Sequence, residues 1–374
     1  MRKKSSIYPS AINAKEPRPW IFDPSRRTQQ KILIKLQKDK HVIVINKLRD
    51  QLNELFAVTH PNLKTHPDLL QKELQHYVKQ LKHQRNVRDR WVYYPWSYSL
   101  VHILASQQFA KLRTARNRNL ITESEQKILS KARIGIAGLS VGNSAALTLA
   151  LEGVSYFALT DADKVSLSNL NRLRAGLKNL DQNKTTVTAQ QIYEINPFVH
   201  LRLFTNGLNS KNLKKFANSF KGLQLIVDEM DDVIMKLELR KLAKKLHIPV
   251  ISAADNGPNS IVDVERYDIE PNRQIYHGAL GDLKNIKPKS VLDFDKRLGL
   301  INKMVGMRYV TKRMKNSLKQ IGKTLWAWPQ LASAASLSGS AITYCAKQIL
   351  FGKLLKSGKY YLDLNKAFKV KDND

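Results

Sequence analysis

The amino-acid sequence predicts an α/β protein in which helices cover a largely parallel sheet. Arg133–Ala137 is a short apolar run with the length of a buried strand, and apolar residues at helical spacing follow it as far as Leu151. A second strand-like run, Tyr156–Thr160, comes next, and strands and helices continue to alternate as far as residue 254. This alternation is typical of a parallel sheet, because each parallel strand needs a crossover connection, usually a helix.

Glycines separate the first strand from its helix. Gly138 and Gly142 lie in this turn, where a backbone without side chains can approach a phosphate closely. The free N–H groups and the positive dipole end at the helix start favour negative charge there. The second strand ends in Asp161-Ala-Asp163, about where a Rossmann-type unit places its ribose-binding carboxylate. We therefore predict a Rossmann-like nucleotide-binding unit.

The polar loop after the second strand resembles a known family. From Asp161 to Arg172 it reads DADKVSLSNLNR, which is similar to the D-x-D-x-V-x-x-S-N-L-x-R segment of the ThiF/MoeB family. Members of that family are adenylating enzymes related to ubiquitin-activating enzymes. The likeness spans about 113–352 and continues through four further motifs in the family's order. Lys184 matches the lysine of a G-x-x-K stretch, and Asn196-Pro197 matches the end of an I-N-P. Residues 227–232 resemble the family's V-D-x-x-D-N strand end, and His247-Ile-Pro249 resembles its G-I-P strand.

The resemblance implies a role for each matched residue. Asp161 would accept hydrogen bonds from ribose hydroxyls, and Asn169, Arg172 and Lys184 would contact the phosphates of ATP. Asp231 would hold Mg²⁺, which prefers oxygen ligands and bridges phosphate oxygens. Arg172, Lys184 and Asp231 form the expected catalytic set, and Gly138, Gly142, Asp161, Asp163, Asn169, Arg172 and Lys184 form the expected nucleotide-binding set.

The glycine turn departs from the family pattern. The family has G-x-G-G-x-G, whereas this chain has Leu139, Ser140 and Val141 between its two turn glycines. A side chain near the phosphates would alter the loop or the affinity for nucleotide. A non-catalytic scaffold that keeps the fold is therefore one of the readings that stay open.

The resemblance implies an ATP-dependent adenylyltransferase that activates a carboxylate as its acyl-adenylate. The acceptor is either the C-terminus of a ubiquitin-like or sulfur-carrier protein, or a carboxylate on tRNA, as in the family's threonylcarbamoyl-adenosine dehydratases. A homodimer is also implied, because an arginine of the segment preceding the first strand reaches the partner's ATP site in family dimers. Arg116 and Arg118 are both candidates for that arginine.

Positive charge is concentrated outside the predicted nucleotide core. The chain has a net charge of +32, of which residues 1–130 carry +15, residues 131–264 carry +5 and residues 265–374 carry +12. Basic flanks attract nucleic acid, an anionic membrane surface or an acidic partner. A lysine-rich composition that only keeps the protein soluble is the alternative, because no dense basic run concentrates the charge.

Other features of the composition limit the choices further. Cys345 is the single cysteine, so the chain has neither an internal disulfide nor a cysteine-built zinc site, and zinc is not expected. The zone 256–325, where thioester-forming family members carry a cysteine, has none. No apolar run reaches the ~18 residues of a spanning helix and no secretory signal is indicated, so we expect a cytoplasmic protein.

Three regions are expected along the chain. Residues 1–110 form a basic, aromatic and mainly helical region of unassigned role, 111–365 the adenylation domain, and 366–374 a polar tail. Within the first region, residues 28–56 favour a helix. The aromatic cluster of residues 90–102 has two readings, as packing of an N-terminal subdomain or as base stacking beside arginines.

Overall fold

The computed structural model describes residues 17–83, 89–286 and 293–370. The chain divides into two compact units, which are described separately here. The first unit runs to Glu123 and includes Tyr193–Phe198, and the second comprises Ser124–Ile192 and the chain from Val199 onwards.

In its described residues, the first unit contains a four-stranded sheet and four α-helices. The sheet order is β1-β3-β4-β2, in which β2 and β4 are parallel and the other pairs are antiparallel. Its elements are β1 (Trp20–Phe22), α1 (Arg27–Lys38), β2 (Ile43–Asn46), α2 (Leu48–Thr59), α3 (Pro67–His83), β3 (Asp89–Tyr94), β4 (Ser99–Leu104) and α4 (Ser106–Arg113).

The sheet of this unit was not predicted from the sequence, and it affects two of the predictions. Helix content exceeds strand content, but the predicted helix over 28–56 is interrupted by β2. Residues 43–46 are β-branched except for Asn46, and such side chains favour a pleated strand. The aromatic cluster forms β3 and β4, where Trp91 and Tyr93 are buried against α1 in the core of the unit.

The second unit is built on a seven-stranded sheet, and it confirms the predicted α/β class. The order is β11-β10-β9-β8-β5-β6-β7; the five strands from β9 to β7 are parallel, while β10 and β11 are antiparallel additions. The strands are β5 (Arg133–Ala137), β6 (Tyr156–Thr160), β7 (His200–Phe204), β8 (Leu225–Asp228), β9 (Val250–Asn256), β10 (Asn259–Glu265) and β11 (Gly358–Leu362).

Helices flank this sheet. They are α5 (Glu123–Lys131), α6 (Val141–Glu152), α7 (Lys184–Ile195), α8 (Leu213–Ala217), α9 (Val233–Lys245), α10 (Phe294–Val305), α11 (Lys312–Leu318), α12 (Ala332–Leu350) and α13 (Leu364–Ala367). Buried residues lie all round α6, and a Cβ built on Gly339 of α12 would lie 2.6 Å from the Cβ of Ser144. Small residues thus let the two helices approach closely. No helix in the described ranges is both long and apolar enough to cross a membrane.

A charged cluster is buried between the sheet and α9. The Arg240 guanidinium forms ion pairs with Asp228 and Glu265, the second through its Nε at 2.6 Å from Oε2, and Nη2 donates to Ser252 at 3.2 Å. Lys236 adds a contact to Asp228 at 3.3 Å. Because both acids have cationic partners, the buried charges compensate one another. The carboxylate of Asp228 therefore stabilises the core through these ion pairs.

Candidate functional site

The polar strand ends of the second unit meet at one edge of its sheet. Ala137 of β5 is in register with Thr160 of β6 and with Asp228 of β8, so the three strands finish level. The neighbouring strand β9 is parallel to β8 and continues to Asn256. In open α/β sheets ligands bind beyond the carboxyl ends of the strands. The loops that leave these ends, together with the first turns of α6 and α7, carry the predicted site residues.

The turn between β5 and α6 is held tightly against the end of β8. Gly138 has a φ of +87°, and a Cβ there would lie 2.3 Å from the carbonyl oxygen of Glu229. Only glycine fits this position. At Gly142 a Cβ would lie 3.0 Å from the Ile136 side chain, so this glycine allows α6 to lie close to the sheet.

The side chains that depart from the family's glycine pattern point in different directions. Leu139 and Val141 are buried, so their side chains pack inside the unit. Ser140 precedes α6, and its Oγ lies 3.2 Å from the Nζ of Lys184. Its hydroxyl is thus part of a hydrogen-bond group that includes a predicted phosphate contact.

Asp161 joins the ends of β5 and β6. Its two carboxylate oxygens accept backbone N–H groups, Oδ2 from Leu139 at 2.7 Å and Oδ1 from Asp163 at 2.8 Å. Burial raises the pKa of Asp161, although the charge of Lys184 and the two N–H donors oppose this shift. A carboxylate has about four acceptor sites, so lone pairs suitable for ribose hydroxyls are left over.

Lys184 is the first residue of α7 and is only 5% exposed. Its Nζ lies 2.9 Å from Oδ2 of Asp163, whose side chain is mostly exposed, and its backbone N–H donates to the carbonyl of Asp163 at 2.9 Å. The ammonium group is thereby held beside the glycine turn. The structure thus brings Lys184 close to Asp163 and to the turn that begins at Gly138, where Asp161 also lies.

Asn169 and Arg172 lie in the loop that follows β6. Asn169 has a structural function here, because its Oδ1 accepts the backbone N–H of Ser166 at 3.1 Å and caps a short 3₁₀ turn. Arg172 Nη1 donates to the carbonyl of Ser168 at 3.2 Å, and its Nε is buried without a hydrogen-bond partner in the described part of the chain. Burial lowers the pKa of Arg172, and the charges of Asp255 and Asp231 oppose this shift.

Asp231 lies in the turn after β8, and its side chain is exposed. Across the described residues, no group of three or more His, Cys, Asp or Glu side chains is arranged to hold a metal ion. Mg²⁺ usually binds through one or two carboxylates plus phosphate oxygens and water, so a single exposed carboxylate beside the predicted phosphate contacts fits it. Asp231 also lines a cavity of about 120 Å³ with the side chains of Lys236 and Met304 among others.

Asp255 is a site residue that the sequence analysis missed. It lies near the end of β9, it is 3% exposed, and its carboxylate accepts hydrogen bonds from Ser338 at 2.8 Å and from Gln330 at 3.1 Å. Burial raises the pKa of Asp255, while these two donors and the charge of Arg172 oppose the shift. The signal was a pair of polar residues, Asp255-Asn256, at the end of an apolar strand, which is the same signal that marked Asp161.

Glu229 was also missed, although it lies beside the glycine turn. Its Oε1 accepts the backbone N–H of Ala253 at 2.6 Å and links the end of β8 to β9. Burial raises the pKa of Glu229 well above its ordinary value, against the opposing charge of Lys236 and the Ala253 donor. Glu229 thus places a buried carboxyl close to the turn in which phosphates are expected.

This arrangement defines a class of protein: an α/β unit with a tight glycine turn, an acidic strand end, the buried Lys184 and the part-buried Arg172 at the carboxyl ends of its parallel strands. The chain belongs to the ThiF family, whose model matches residues 114–338. The family likeness predicted from the loop motifs is thereby confirmed.

Three relatives show how broad this family is. The uncharacterized protein MT1398 of Mycobacterium tuberculosis is 37% identical over 280 residues, which are 74% of this chain and 38% of that protein. The tRNA threonylcarbamoyladenosine dehydratase of Bacillus subtilis is 29% identical over 41% of this chain and 60% of its own length. The sulfur carrier protein ThiS adenylyltransferase of Escherichia coli is 30% identical over 37% of this chain and 55% of its own length. This chain thus spans between 38% and 60% of each relative.

Among solved structures, the E. coli tRNA N6-threonylcarbamoyladenosine dehydratase in complex with AMP is 18% identical to this chain. The match covers 65% of this chain and 95% of the dehydratase chain, with a TM-score of 0.48.

Proposed function

We propose that the second unit is an ATP-dependent adenylyltransferase that activates a carboxylate as its acyl-adenylate. One observation carries this proposal: a glycine turn, the buried Lys184, the part-buried Arg172 and the exposed Asp231 lie along the carboxyl ends of adjacent parallel strands. A relative named as an adenylyltransferase supports the same chemistry.

The proposed reaction joins one substrate carboxylate to ATP. A carboxylate oxygen attacks the α-phosphorus, the bond from that phosphorus to the bridging oxygen breaks, and pyrophosphate leaves with the electron pair. Negative charge develops on the phosphate oxygens in this step, and preorganised cations and N–H groups stabilise it. Arg172 is our candidate for the charge on the α-phosphate, because its buried Nε has a donor to spare.

Lys184 and Asp161 have positioning roles in this proposal. The Lys184 ammonium group contacts Ser140 and Asp163, and it would exchange part of these contacts for phosphate oxygens when ATP binds. Asp161 would accept from the ribose and at the same time keep the turn closed through the Leu139 N–H. Asp231 would hold Mg²⁺, which would neutralise charge on the pyrophosphate. Asn169 and Asp163 would contribute through the loops that they shape, and Gly142 through the close approach of α6 to the sheet.

Two classes of substrate follow from the relatives. A carrier-protein C-terminus matches the relative that acts on ThiS, and we take it as the first candidate. A carboxylate on tRNA matches the relative named as a tRNA dehydratase, and it is favoured by the excess positive charge of +15 on residues 1–130 and +12 on residues 265–374. The cation-rich flanks would neutralise backbone phosphates in a salt-dependent manner.

We also propose that the protein works as a homodimer in which Arg116 or Arg118 enters the partner's nucleotide site. Both side chains are exposed. Arg118 already donates from Nη1 to the carbonyl of Val58 at 3.1 Å within the first unit, which leaves Arg116 as the less constrained of the two.

Exchange of labelled pyrophosphate into ATP tests the adenylation step. With a sulfur-carrier protein ending in Gly-Gly as substrate, Arg172→Ala should lower the exchange rate by about 10²–10³-fold, the scale of losing one transition-state donor. Arg174→Ala removes a neighbouring exposed guanidinium and should leave the rate unchanged. Equal rates in both variants would refute the assigned role of Arg172, and the absence of both exchange and ATP binding in the unaltered protein would leave the scaffold reading.

Filter binding of tRNA tests the second candidate. Affinity should fall steeply between about 50 and 200 mM salt if several phosphates are contacted. A weak affinity that does not change with salt would reject tRNA and leave the carrier protein.

A further inference from the structure

Strand β2 of the first unit is an edge strand with an unusual surface. It lies last in the order β1-β3-β4-β2 and pairs only with β4 in the described sheet. We propose that this edge binds an extended segment of another protein, one with acidic residues on both sides of its apolar centre, as an added β-strand. This function is separate from adenylation by the second unit.

The backbone of β2 leaves hydrogen-bonding groups on the open side. The Ile43 N–H donates to the carbonyl of Tyr98 on the β4 side at 2.8 Å, and the register pairs Ile43 with Ser99 and Ile45 with Val101. Because successive residues of a strand face opposite neighbours, the N–H and C=O of Val44 are directed to the open edge. An incoming strand would bond to these groups, which is the mode of binding known as β-augmentation.

The side chains of β2 are apolar and exposed on both faces of the sheet. Ile43 is 59% exposed, Val44 is 42% and Ile45 is 40%. Exposed aliphatic edge strands associate with other strands unless they are protected, so natural proteins rarely leave them uncovered. Three consecutive large aliphatic residues at an edge therefore favour a partner that covers them.

A cavity lies over β4, the strand next to β2 in the sheet. It has a volume of about 280 Å³ and is lined by Ser99 and Val101 of β4, with Phe109 among its other residues. Because Ile43 and Ile45 are in register with Ser99 and Val101, their side chains lie on the same face of the sheet as the cavity.

Charge at the two ends of β2 defines the chemistry of the partner. Lys38, Lys40, Lys47 and Arg49 lie within five residues of the strand, against the two acidic residues Asp39 and Asp50. Lys40 and Lys47 are exposed, one at each end, and Lys47 shares an exposed ion pair with Asp50 at 3.3 Å. Acidic residues at both ends of an added strand would meet these cations.

The same charges disfavour a second copy of this chain. Antiparallel self-pairing centred on Val44 would place Lys47 of each copy opposite His41 of the other and next to Lys40, so cations would gather at both ends. Like charges that are brought close together on paired strands repel one another. A partner with flanking Asp or Glu avoids this repulsion.

The test uses the full chain and two synthetic peptides, measured by fluorescence anisotropy. The first is Glu-Glu-Thr-Val-Thr-Val-Thr-Glu-Glu, and the second has Lys in place of each Glu. We expect the acidic peptide to bind at least about tenfold more tightly than the basic one, and this preference to shrink when salt is raised, because exposed charges are screened.

Val44→Pro is the decisive variant. Proline removes the Val44 N–H, which is directed to the open edge, and an edge strand tolerates it there because the bonds to β4 come from Ile43 and Ile45. We expect this variant to lose at least about tenfold in affinity for the acidic peptide, whereas the matched Val44→Thr variant keeps the N–H and should bind within about twofold of the unaltered protein. Circular dichroism would show whether both variants keep the fold.

Three outcomes would overturn the proposal. Equal binding of the two peptides would reject the acidic partner, and equal binding by the folded Val44→Pro and Val44→Thr variants would reject strand addition. Self-association that is lost in Val44→Pro, measured by analytical ultracentrifugation, would assign the edge to a second copy instead.

Discussion

Replacement of Gly138 by alanine tests how tightly the glycine turn is held against the end of β8. The φ of +87° costs a residue with a Cβ about 1–2 kcal/mol. The Cβ would also lie 2.3 Å from the carbonyl oxygen of Glu229 and 2.7 Å from the backbone nitrogen of Met230, just after β8. Overpacking of this kind costs about 1–3 kcal/mol. We therefore expect the second unit to lose about 2–5 kcal/mol of unfolding free energy.

Two other glycines separate the contributions. Gly352 has a φ of +69° with no atom within 4 Å of a built Cβ, so Gly352→Ala measures the backbone strain alone, about 1–2 kcal/mol. Gly176 has a negative φ and the same open space, so Gly176→Ala should change stability by less than about 1 kcal/mol. The difference between Gly138→Ala and Gly352→Ala is the energy of the clash.

The single cysteine provides the assay. Cys345 is buried in α12 of the second unit, so its reaction with a thiol reagent across a urea series reports the unfolding of that unit alone. Nucleotide affinity is measured in parallel, and it should fall in Gly138→Ala because the Leu139 N–H that bonds to Asp161 belongs to the displaced turn. If Gly138→Ala and Gly352→Ala were equally stable, the turn would move freely and the close approach to β8 would not constrain it.

Three further predictions concern the core of the second unit and one helix end. Burial raises the pKa of the Cys345 thiol to about 11, so at pH 8 only about one molecule in a thousand carries the reactive thiolate, and the native protein should resist a thiol reagent that labels the urea-unfolded chain within minutes. Arg240→Met leaves two buried carboxylates without their partner and should cost about 3–5 kcal/mol in urea unfolding, whereas the exposed Lys241→Met should change stability by less than about 0.5 kcal/mol. Asp232 accepts the Met235 N–H at 3.0 Å as the N-cap of α9, so Asp232→Ala should lower the unfolding free energy by about 1 kcal/mol. The pyrophosphate-exchange rate at 20 °C should stay unchanged. A loss of rate would mean that the residue also acts in the site.

The pH dependence of stability follows from Asp228. Burial by itself raises the pKa of Asp228, but the charges of Lys236 and Arg240 outweigh it and hold the pKa below its ordinary value. The contribution of Asp228 is therefore complete above the pKa of the unfolded chain, about 4, and is lost as the pH falls through the lower folded value. Urea unfolding between about pH 5 and pH 2 should show this loss, and a stability that rises on acidification would contradict it.

Much of the second unit was determined by local sequence pattern. Short apolar runs, the glycines between Ala137 and Asn143 and the acidic end of β6 each reflect interactions within a few residues, so the strand, turn and helix were predictable from them. The loop from Asp161 to Arg172 carries enough of a family motif to identify the family from the sequence alone. These features depend on hydrogen bonds and backbone angles that neighbouring residues settle.

Only the tertiary structure decided which distant side chains meet. Asp255 and Ser338 are far apart in the sequence, and their hydrogen bond arises because α12 packs against β9 and β10. The direction of Leu139 into the core, and of the Ser140 hydroxyl towards Lys184, depends on where α7 begins relative to the turn. In the first unit, the apolar residues of β2 have the same composition as a buried helix or strand. Their exposure follows from the position of that strand at the edge of a sheet, which pairings across the whole unit determine.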